Sequence, residues 1–256
     1  MNGDFDDQGH ISIRGHQVPV RDTSAFLRRS RLIALAKKSH SETSPNIRPI
    51  AIGSIFRRLA CKVTQMKIKD RAAVALYPKQ LANGVTRGPE LAALTVRTAH
   101  ANGVHWIEED AVNAFGSMHR HKILPAMHDA QIRQTDSYFK TQYSSPSELR
   151  WNRECSILNP RGVEQGDGIS MTYFTVGLHQ VLEQLQSEFG DELLIVAIAD
   201  DVKLGSPKIE VLIEARDRYK ELLGEIGLKL SDTFVLILYG NMILLYKPWQ
   251  VPGIAL

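Results

Sequence analysis

Two adjacent carboxylates at the end of an apolar segment constrain the fold of this 256-residue chain more than any other feature. Asp200 and Asp201 follow the apolar run 193–198, which has the length and composition of a buried strand. Burying carboxylates without a compensating cation is costly, so a divalent metal ion is the natural partner of such a pair. The alternative is an ordinary turn or helix-cap sequence, where Asp-Asp pairs are common.

A third carboxylate stands in a similar setting upstream, where Asp110 follows the short apolar stretch 104–107. Two strands that each present an Asp at one end could place these side chains around one pair of metal ions. Mg²⁺ prefers carboxylate oxygens, and two such ions can clamp the attacking and leaving oxygens of a phosphoryl transfer. Asp110, Asp200 and Asp201 are therefore the candidate catalytic residues.

The positive charge of the chain is concentrated in one region. Residues 21–72 hold 13 Lys and Arg against 3 Asp and Glu, although the net charge of the whole chain is only +3. Such a segment favours contact with phosphates, or else it is simply a solvated surface. Two cysteines cannot build a disulfide framework or a zinc site on their own, and the apolar stretch 234–246 is too short to cross a membrane.

Hydrophobic periodicity and turn residues predict an α+β fold with an antiparallel sheet. The runs 26–36 and 48–53 suggest a basic β-hairpin, and Ser54 can cap a following helix in which Ile55, Leu59, Val63 and Met66 recur at helical spacing. Asp200 and Asp201 lie at the tip of a second hairpin. Further helices are predicted at 89–100, 119–132, 174–189 and 209–226, and the polar region 133–161 is a possible hairpin.

Two further segments are candidates for a nucleotide site. Glycines within 162–168 let a backbone approach a flat ligand closely, and Asp167 can cap the next helix, but an ordinary glycine-rich turn has the same composition. Phe115 stands five residues after Asp110, where it could lie under the sugar of a nucleotide or simply belong to the core.

In their order along the chain, these segments resemble the reverse transcriptases of non-LTR retrotransposons. Residues 32–37 and 46–59 resemble the two fingers motifs, and 110–115 resembles the palm motif with the first catalytic Asp. Residues 162–167 are similar to the family's glycine-glutamine-glycine-aspartate motif. Ala199-Asp200-Asp201 matches its Asp-Asp hairpin, and 227–230 matches the motif after the next helix.

The resemblance implies a right-hand polymerase with fingers and palm and an antiparallel palm sheet packed on helices. We expect the thumb to be absent, because the chain ends where the family's thumb would begin. The resemblance also implies two Mg²⁺ ions, with Mn²⁺ as an alternative, and as partners an RNA template, a DNA primer and deoxynucleoside triphosphates. The implied residues are the metal ligands Asp110, Ala111, Asp200 and Asp201, the nucleotide-binding Lys37, Arg48, Phe115, Gln165 and Gly166, and the nucleic-acid-binding Arg57, Arg58 and Gly162.

The predicted organisation is a flexible leader (1–20), a fingers-like region (21–100), a palm (101–233) and a non-matching apolar tail (234–256). Gly168 replaces the family's usual Pro, and the family's Lys after the 227–230 motif is missing, so a truncated or decayed copy of such an element is expected. A catalytically silent nucleic-acid-binding remnant and another two-metal enzyme, such as a nucleotide cyclase, remain alternatives. An intracellular, nuclear location with no membrane partner is expected from the family.

Overall fold

The computed structural model describes residues 10–13, 16–19, 25, 27–36, 47–152, 154–231 and 234–245. The described strands are β1 (His10–Ile13), β2 (His16–Pro19), β3 (Ser30–Ala36), β4 (Ile47–Gly53), β5 (His105–Glu109), β6 (Ser147–Arg150), β7 (Ser156–Asn159), β8 (Leu194–Ile198), β9 (Asp201–Ser206), β10 (Phe234–Leu238) and β11 (Asn241–Leu245). The described α-helices are α1 (Ile55–Leu76), α2 (Gly88–Ala101), α3 (Ala114–Ser117), α4 (Arg120–Asp129), α5 (Asp136–Tyr143), α6 (Ser170–Phe189) and α7 (Ile209–Glu225).

A five-stranded antiparallel sheet in the order β11-β10-β5-β9-β8 forms the centre of the fold. Side chains alternate across it, so Ile107 packs in the large core that contains α6 and α7, whereas Trp106 faces a smaller cluster beneath α2. Helices thus cover both faces of the sheet. The predicted α+β class with an antiparallel sheet is confirmed.

A second sheet has the order β4-β3-β6-β7, in which β3 pairs antiparallel with β4 and parallel with β6. The predicted hairpin of 26–36 and 48–53 is present as β3 and β4, while its polar tip, including Lys37, lies outside the described residues. Because β6 and β7 come from within 101–233, this sheet joins segments from both sides of the boundary predicted at residue 100.

Helix α1 begins as predicted, with the Ser54 hydroxyl accepting a hydrogen bond from the Arg57 amide at 3.2 Å. The apolar residues that indicated the helix are nevertheless exposed: Ile55, Leu59, Val63 and Met66. The buried face instead carries Arg57, Cys61, Ile68, Ala72 and Leu76. Sequence periodicity therefore located the helix but not its inward face, because a paired arginine occupies an inward position.

Two stretches outside the predicted fingers and palm contain strands. Residues 234–245, assigned to a non-matching tail, form β10 and β11, and β10 pairs with β5 through Val235–Glu108 and Leu236–Ile107. Within the predicted flexible leader, β1 and β2 pair as an antiparallel hairpin. The region 133–161 contains the hairpin β6–β7, but also α5, which the sequence did not predict. No described helix has the length and apolarity needed to cross a membrane.

Candidate active site

The predicted Asp-Asp hairpin is present as the tight turn between β8 and β9. Ile198 pairs with Asp201, so only Ala199 and Asp200 form the turn. Ala199 has a φ of 56°, in the left-handed region that alanine rarely adopts. This conformation lets the chain reverse within two residues and places both carboxylates at one end of the central sheet.

Strand register brings the third carboxylate to the same place. Glu109 of β5 pairs with Val202 of β9, so the next position along β5, Asp110, lies beside Asp201. Beyond the strand, the Ser231 amide donates to the Asp110 carbonyl and the Val112 amide donates to the Lys229 carbonyl, both at 2.8 Å. These bonds fix the segment and leave the Ala111 carbonyl out of the pairing.

Electrostatic coupling shows that the three carboxylates share one environment. Burial raises the pKa of Asp200, and the charges of Asp201 and Asp110 raise it further, whereas Arg48 opposes the shift. Burial also raises the pKa of Asp201, with Asp110 and Glu108 acting in the same direction and Lys203 and Arg48 against it. Repulsion between these carboxylates is what a bound cation would relieve.

The described residues contain no ready-formed group of three or more His, Cys, Asp or Glu side chains able to hold a metal ion. The donor set nevertheless suits a hard cation, because carboxylate oxygens from both strand ends lie along one cleft. The residues fit Mg²⁺ through the chemistry of their carboxylate oxygens.

A cleft of about 710 Å³ opens beside the carboxylates. Its lining includes the predicted residues Arg48, Asp110, Ala111, Phe115, Gln165, Gly166, Asp200 and Asp201. Lys37 lies outside the described residues, and Arg57, Arg58 and Gly162 do not line the cleft. The fold thus brings together, from four separate segments, most of the residues predicted for the nucleotide and metal sites.

Phe115 belongs to both the cleft and the core. Its side chain is 9% exposed and stacks on Phe174 of α6 with ring centroids 4.5 Å apart. The Val163 amide donates to the Phe115 carbonyl at 2.7 Å, which fixes the backbone below the ring. Phe115 is thus a packed core residue that also lines the cleft, and its position under a nucleotide sugar stays a prediction.

The glycines of the 162–168 loop approach the protein's own backbone. A Cβ at Gly162 (φ 60°) would lie 2.1 Å from the Phe115 carbonyl oxygen, and one at Gly166 (φ 108°) would lie 2.5 Å from that of Ala51. The Ala51 amide also donates to the Gln165 carbonyl at 2.6 Å. Gly162 is thus needed for internal packing and does not line the cleft, so its assignment to nucleic-acid binding stays a prediction, while Gln165 and Gly166 face the cleft.

Arg57 was assigned wrongly to nucleic-acid binding. Arg57 is only 2% exposed, and its guanidinium forms ion pairs with Glu164 at 3.0 Å and Asp167 at 2.7 Å. Burial alone would lower the pKa of Arg57, but these two carboxylates raise it above its ordinary value. A buried, doubly paired guanidinium cannot reach a phosphate; Arg58, the next residue, is exposed and remains a candidate.

Asp167 does not cap α6 as the sequence suggested, because that helix has no side-chain cap. Its carboxylate instead accepts hydrogen bonds from Arg57 at 2.7 Å and from the Tyr143 hydroxyl at 2.9 Å. The ion-pair cluster of Arg57, Glu164 and Asp167 joins α1 to the loop that presents Gln165. Arg57 is more than 100 residues away from both carboxylates along the chain, so no local sequence pattern predicts the cluster.

Arg120 is a second residue whose role becomes visible only in the fold. Its guanidinium donates to the carbonyls of Gly162 at 2.8 Å, Asn159 at 2.9 Å and Ser145 at 2.9 Å. It thereby holds the glycine-rich loop and the ends of the β6–β7 hairpin against α4. In the sequence, Arg120 follows the segment 110–115 that resembles the palm motif, but its carbonyl partners are visible only in the fold.

Comparison with known proteins agrees with this geometry. The family model described as reverse transcriptase (RNA-dependent DNA polymerase) matches residues 14–234. The retrovirus-related Pol polyprotein from the type-1 retrotransposable element R2 of Popillia japonica is 27% identical over 210 residues. That match covers 75% of this chain and 28% of the polyprotein, so the chain spans less than a third of its curated relative.

Solved structures with the same fold include telomerases from two yeasts. Apo telomerase of Candida tropicalis superposes with a TM-score of 0.61 at 10% identity, covering 83% of this chain and 44% of that one. Candida albicans telomerase in complex with a fragment of telomeric RNA gives a TM-score of 0.60 at 11% identity, covering 89% and 44%. The fold is therefore the fingers-and-palm fold, and with the family model matching most of its length, the chain belongs to the reverse transcriptase family.

Proposed function

We propose that this chain carries out RNA-templated DNA synthesis by metal-assisted nucleotidyl transfer, as the polymerase part of a retrotransposon protein. The convergence of Asp110, Asp200 and Asp201 at one end of the central sheet carries the proposal. Family membership supports the reaction class, and the fold shared with telomerases bound to an RNA fragment supports RNA as a template.

Asp110, Asp200 and Asp201, with the Ala111 carbonyl, would hold two Mg²⁺ ions. When bound, these ions would neutralise charge on the phosphates and activate the primer hydroxyl as a nucleophile. The protein's own contribution would be positioning. Asp110 follows β5, and Asp200 and Asp201 lie at the β8–β9 turn, so one sheet would present all three ligands at the same end.

Arg48 would bind the phosphates of the incoming nucleotide. It lies on β4 and lines the same cleft as the carboxylates, and its charge acts on both Asp200 and Asp201. A guanidinium offers a planar fork of donors to phosphate oxygens. We propose that Lys37 assists it, that Gln165 and Gly166 line the site of the nucleotide and template, and that Arg58 contacts nucleic acid.

Primer extension on poly(rA)/oligo(dT) with Mg²⁺ and thymidine triphosphate tests the proposal. We expect incorporation that depends on both template and metal. The competing function is nucleic-acid binding without catalysis, which the basic segment 21–72 favours. It predicts RNA binding that weakens steeply with salt and no incorporation above background, a result that would exclude the polymerase function.

Phe115 supplies a prediction about sugar selection. We expect Phe115→Val to raise incorporation of ribonucleotides relative to deoxynucleotides about tenfold or more, because a smaller side chain leaves room for a 2′-hydroxyl. The ratio of kcat/KM for the two triphosphates measures it. Phe174→Val is the matched control. It removes the same stacking interaction, but Phe174 does not line the cleft. An equal change in both variants would assign the effect to lost packing.

A further inference from the structure

The segment before α2 pairs with the outer edge of the central sheet. Strand β8 is an edge strand, and the Ala197 amide donates to the Lys79 carbonyl at 2.7 Å. The Leu81 amide donates in turn to the Ala197 carbonyl at 2.8 Å. Residues 79–81 therefore continue the hydrogen bonding of the sheet next to the strand that leads into the Asp-Asp turn.

The side chain of Gln80 extends this pairing to the turn itself. Gln80 is fully buried, its Oε1 accepts from the Ala199 amide at 2.8 Å, and its Nε2 donates to the Ala199 carbonyl at 2.9 Å. Oε1 also accepts from the Ala82 amide at 3.2 Å. One side-chain amide thus binds both backbone polar groups of the residue that precedes Asp200.

Ala199 is the residue that most needs such support. Its φ of 56° lies in the left-handed region, where a Cβ is crowded by the backbone and the conformation persists only if its surroundings hold it. The direction of the Asp200 and Asp201 side chains depends on this residue, because the turn between β8 and β9 contains only Ala199 and Asp200. Releasing Ala199 would let the turn relax.

The loop that carries Gln80 is itself anchored. The Thr172 hydroxyl of α6 donates to the Asn83 side chain at 3.1 Å, and the Asn83 amide group binds the Thr175 hydroxyl. All three residues are buried. The loop that carries Gln80 is therefore held by α6 through Asn83, which gives Gln80 a fixed position from which to act on the turn.

We propose that Gln80 is a positioning residue that sets the direction of Asp200 and Asp201 through the backbone of Ala199. The inference rests on the proposed polymerase function. Gln80 touches neither substrate nor metal ligand side chains; it acts through two hydrogen bonds to one peptide segment. Groups that orient metal ligands in this way are worth about 10- to 100-fold in activity or metal affinity.

Gln80→Met tests the inference, because methionine is similar in size but makes neither hydrogen bond. We expect kcat for primer extension to fall about 10- to 100-fold, with KM for the nucleotide within about threefold of the wild type. Gln142→Met is the matched control, since Gln142 is also buried but lies on α5 away from the turn. A kcat within about threefold of that control would overturn the inference.

Two readouts do not depend on catalysis. Hydrogen exchange at the amides of 194–206 should become faster in Gln80→Met and not in Gln142→Met, and Mn²⁺ affinity measured by EPR should weaken about tenfold or more. Unchanged exchange and affinity would refute the role of Gln80 even if the wild type proved inactive. An inactive wild type with both changes present would refute the proposed polymerase function alone. If Gln80→Met does not fold, Gln80→Glu is compared with Gln142→Glu in the same assays. Both variants add a buried carboxylate, but only Gln80→Glu also removes the donor to the Ala199 carbonyl.

Discussion

Asp200→Asn is expected to lower the rate of primer extension about a thousandfold or more while leaving RNA binding intact. The substitution keeps the shape of the side chain but removes the charge that would hold a metal ion at the β8–β9 turn. In phosphoryl transfer the protein acts almost entirely by positioning and electrostatics, so loss of one metal-binding charge removes most of the rate enhancement. Single-turnover incorporation and equilibrium RNA binding measure the two effects separately.

Asp191→Asn is the matched control, because Asp191 is exposed on the turn before β8 and does not line the cleft. It should retain the wild-type rate. Asp110→Asn should behave like Asp200→Asn, since strand register places Asp110 beside the same turn. An incorporation rate within tenfold of the wild type for either cleft variant would remove these carboxylates from the catalytic site.

Local patterns were sufficient to predict the strands that carry these carboxylates. The apolar run before Asp200 and the shorter one before Asp110 fall within or overlap β8 and β5, because central strand residues that are buried on both faces are mostly apolar. Their adjacency is a different matter. It results from antiparallel pairing of β5 with β9, a long-range register that no sequence window contains.

Arginine and glycine roles were less predictable, because the same residue types serve a ligand or the protein itself. Arg57 stands in a basic segment, which suggested phosphate binding, yet it pairs with carboxylates more than 100 residues away. Gly162 has the freedom that a ligand-binding loop requires, but uses it to pass the backbone at Phe115. Gln80 gave no pattern at all, since a single polar residue in a loop has no periodicity.

The apolar segment at 234–245 shows that a family motif pattern need not mark every strand of the fold. The segment does not resemble the family's motifs. Nevertheless, Tyr239-Gly240 forms the turn of the hairpin β10–β11, and β10 joins this hairpin to β5 of the central sheet. Two apolar runs separated by a Gly-Asn pair were already visible in the sequence. Pairing of β10 with β5 also buries the strand that leads into Asp110.

The ion-pair cluster of Arg57, Glu164 and Asp167 makes the largest stability prediction. We expect Arg57→Met to lower the free energy of unfolding by about 3–5 kcal/mol, because it leaves two buried carboxylates without their cation. Urea denaturation measures it. Arg58→Met, on the exposed neighbouring residue, should change stability by less than about 0.5 kcal/mol.

The cause of that loss can be separated from lost packing. If unpaired charge is responsible, adding Glu164→Gln and Asp167→Asn to Arg57→Met should restore part of the stability, because neutral amides of the same shape need no cation. A deeper loss in the triple variant would show that unpaired charge is not the cause. A cost below about 1 kcal/mol for Arg57→Met alone would show that the cluster contributes little to joining α1 to the glycine-rich loop. Gln165 lies between Glu164 and Asp167 in the chain. If the triple variant regains stability but not nucleotide affinity, the charges of the ion-pair cluster also set the position of Gln165.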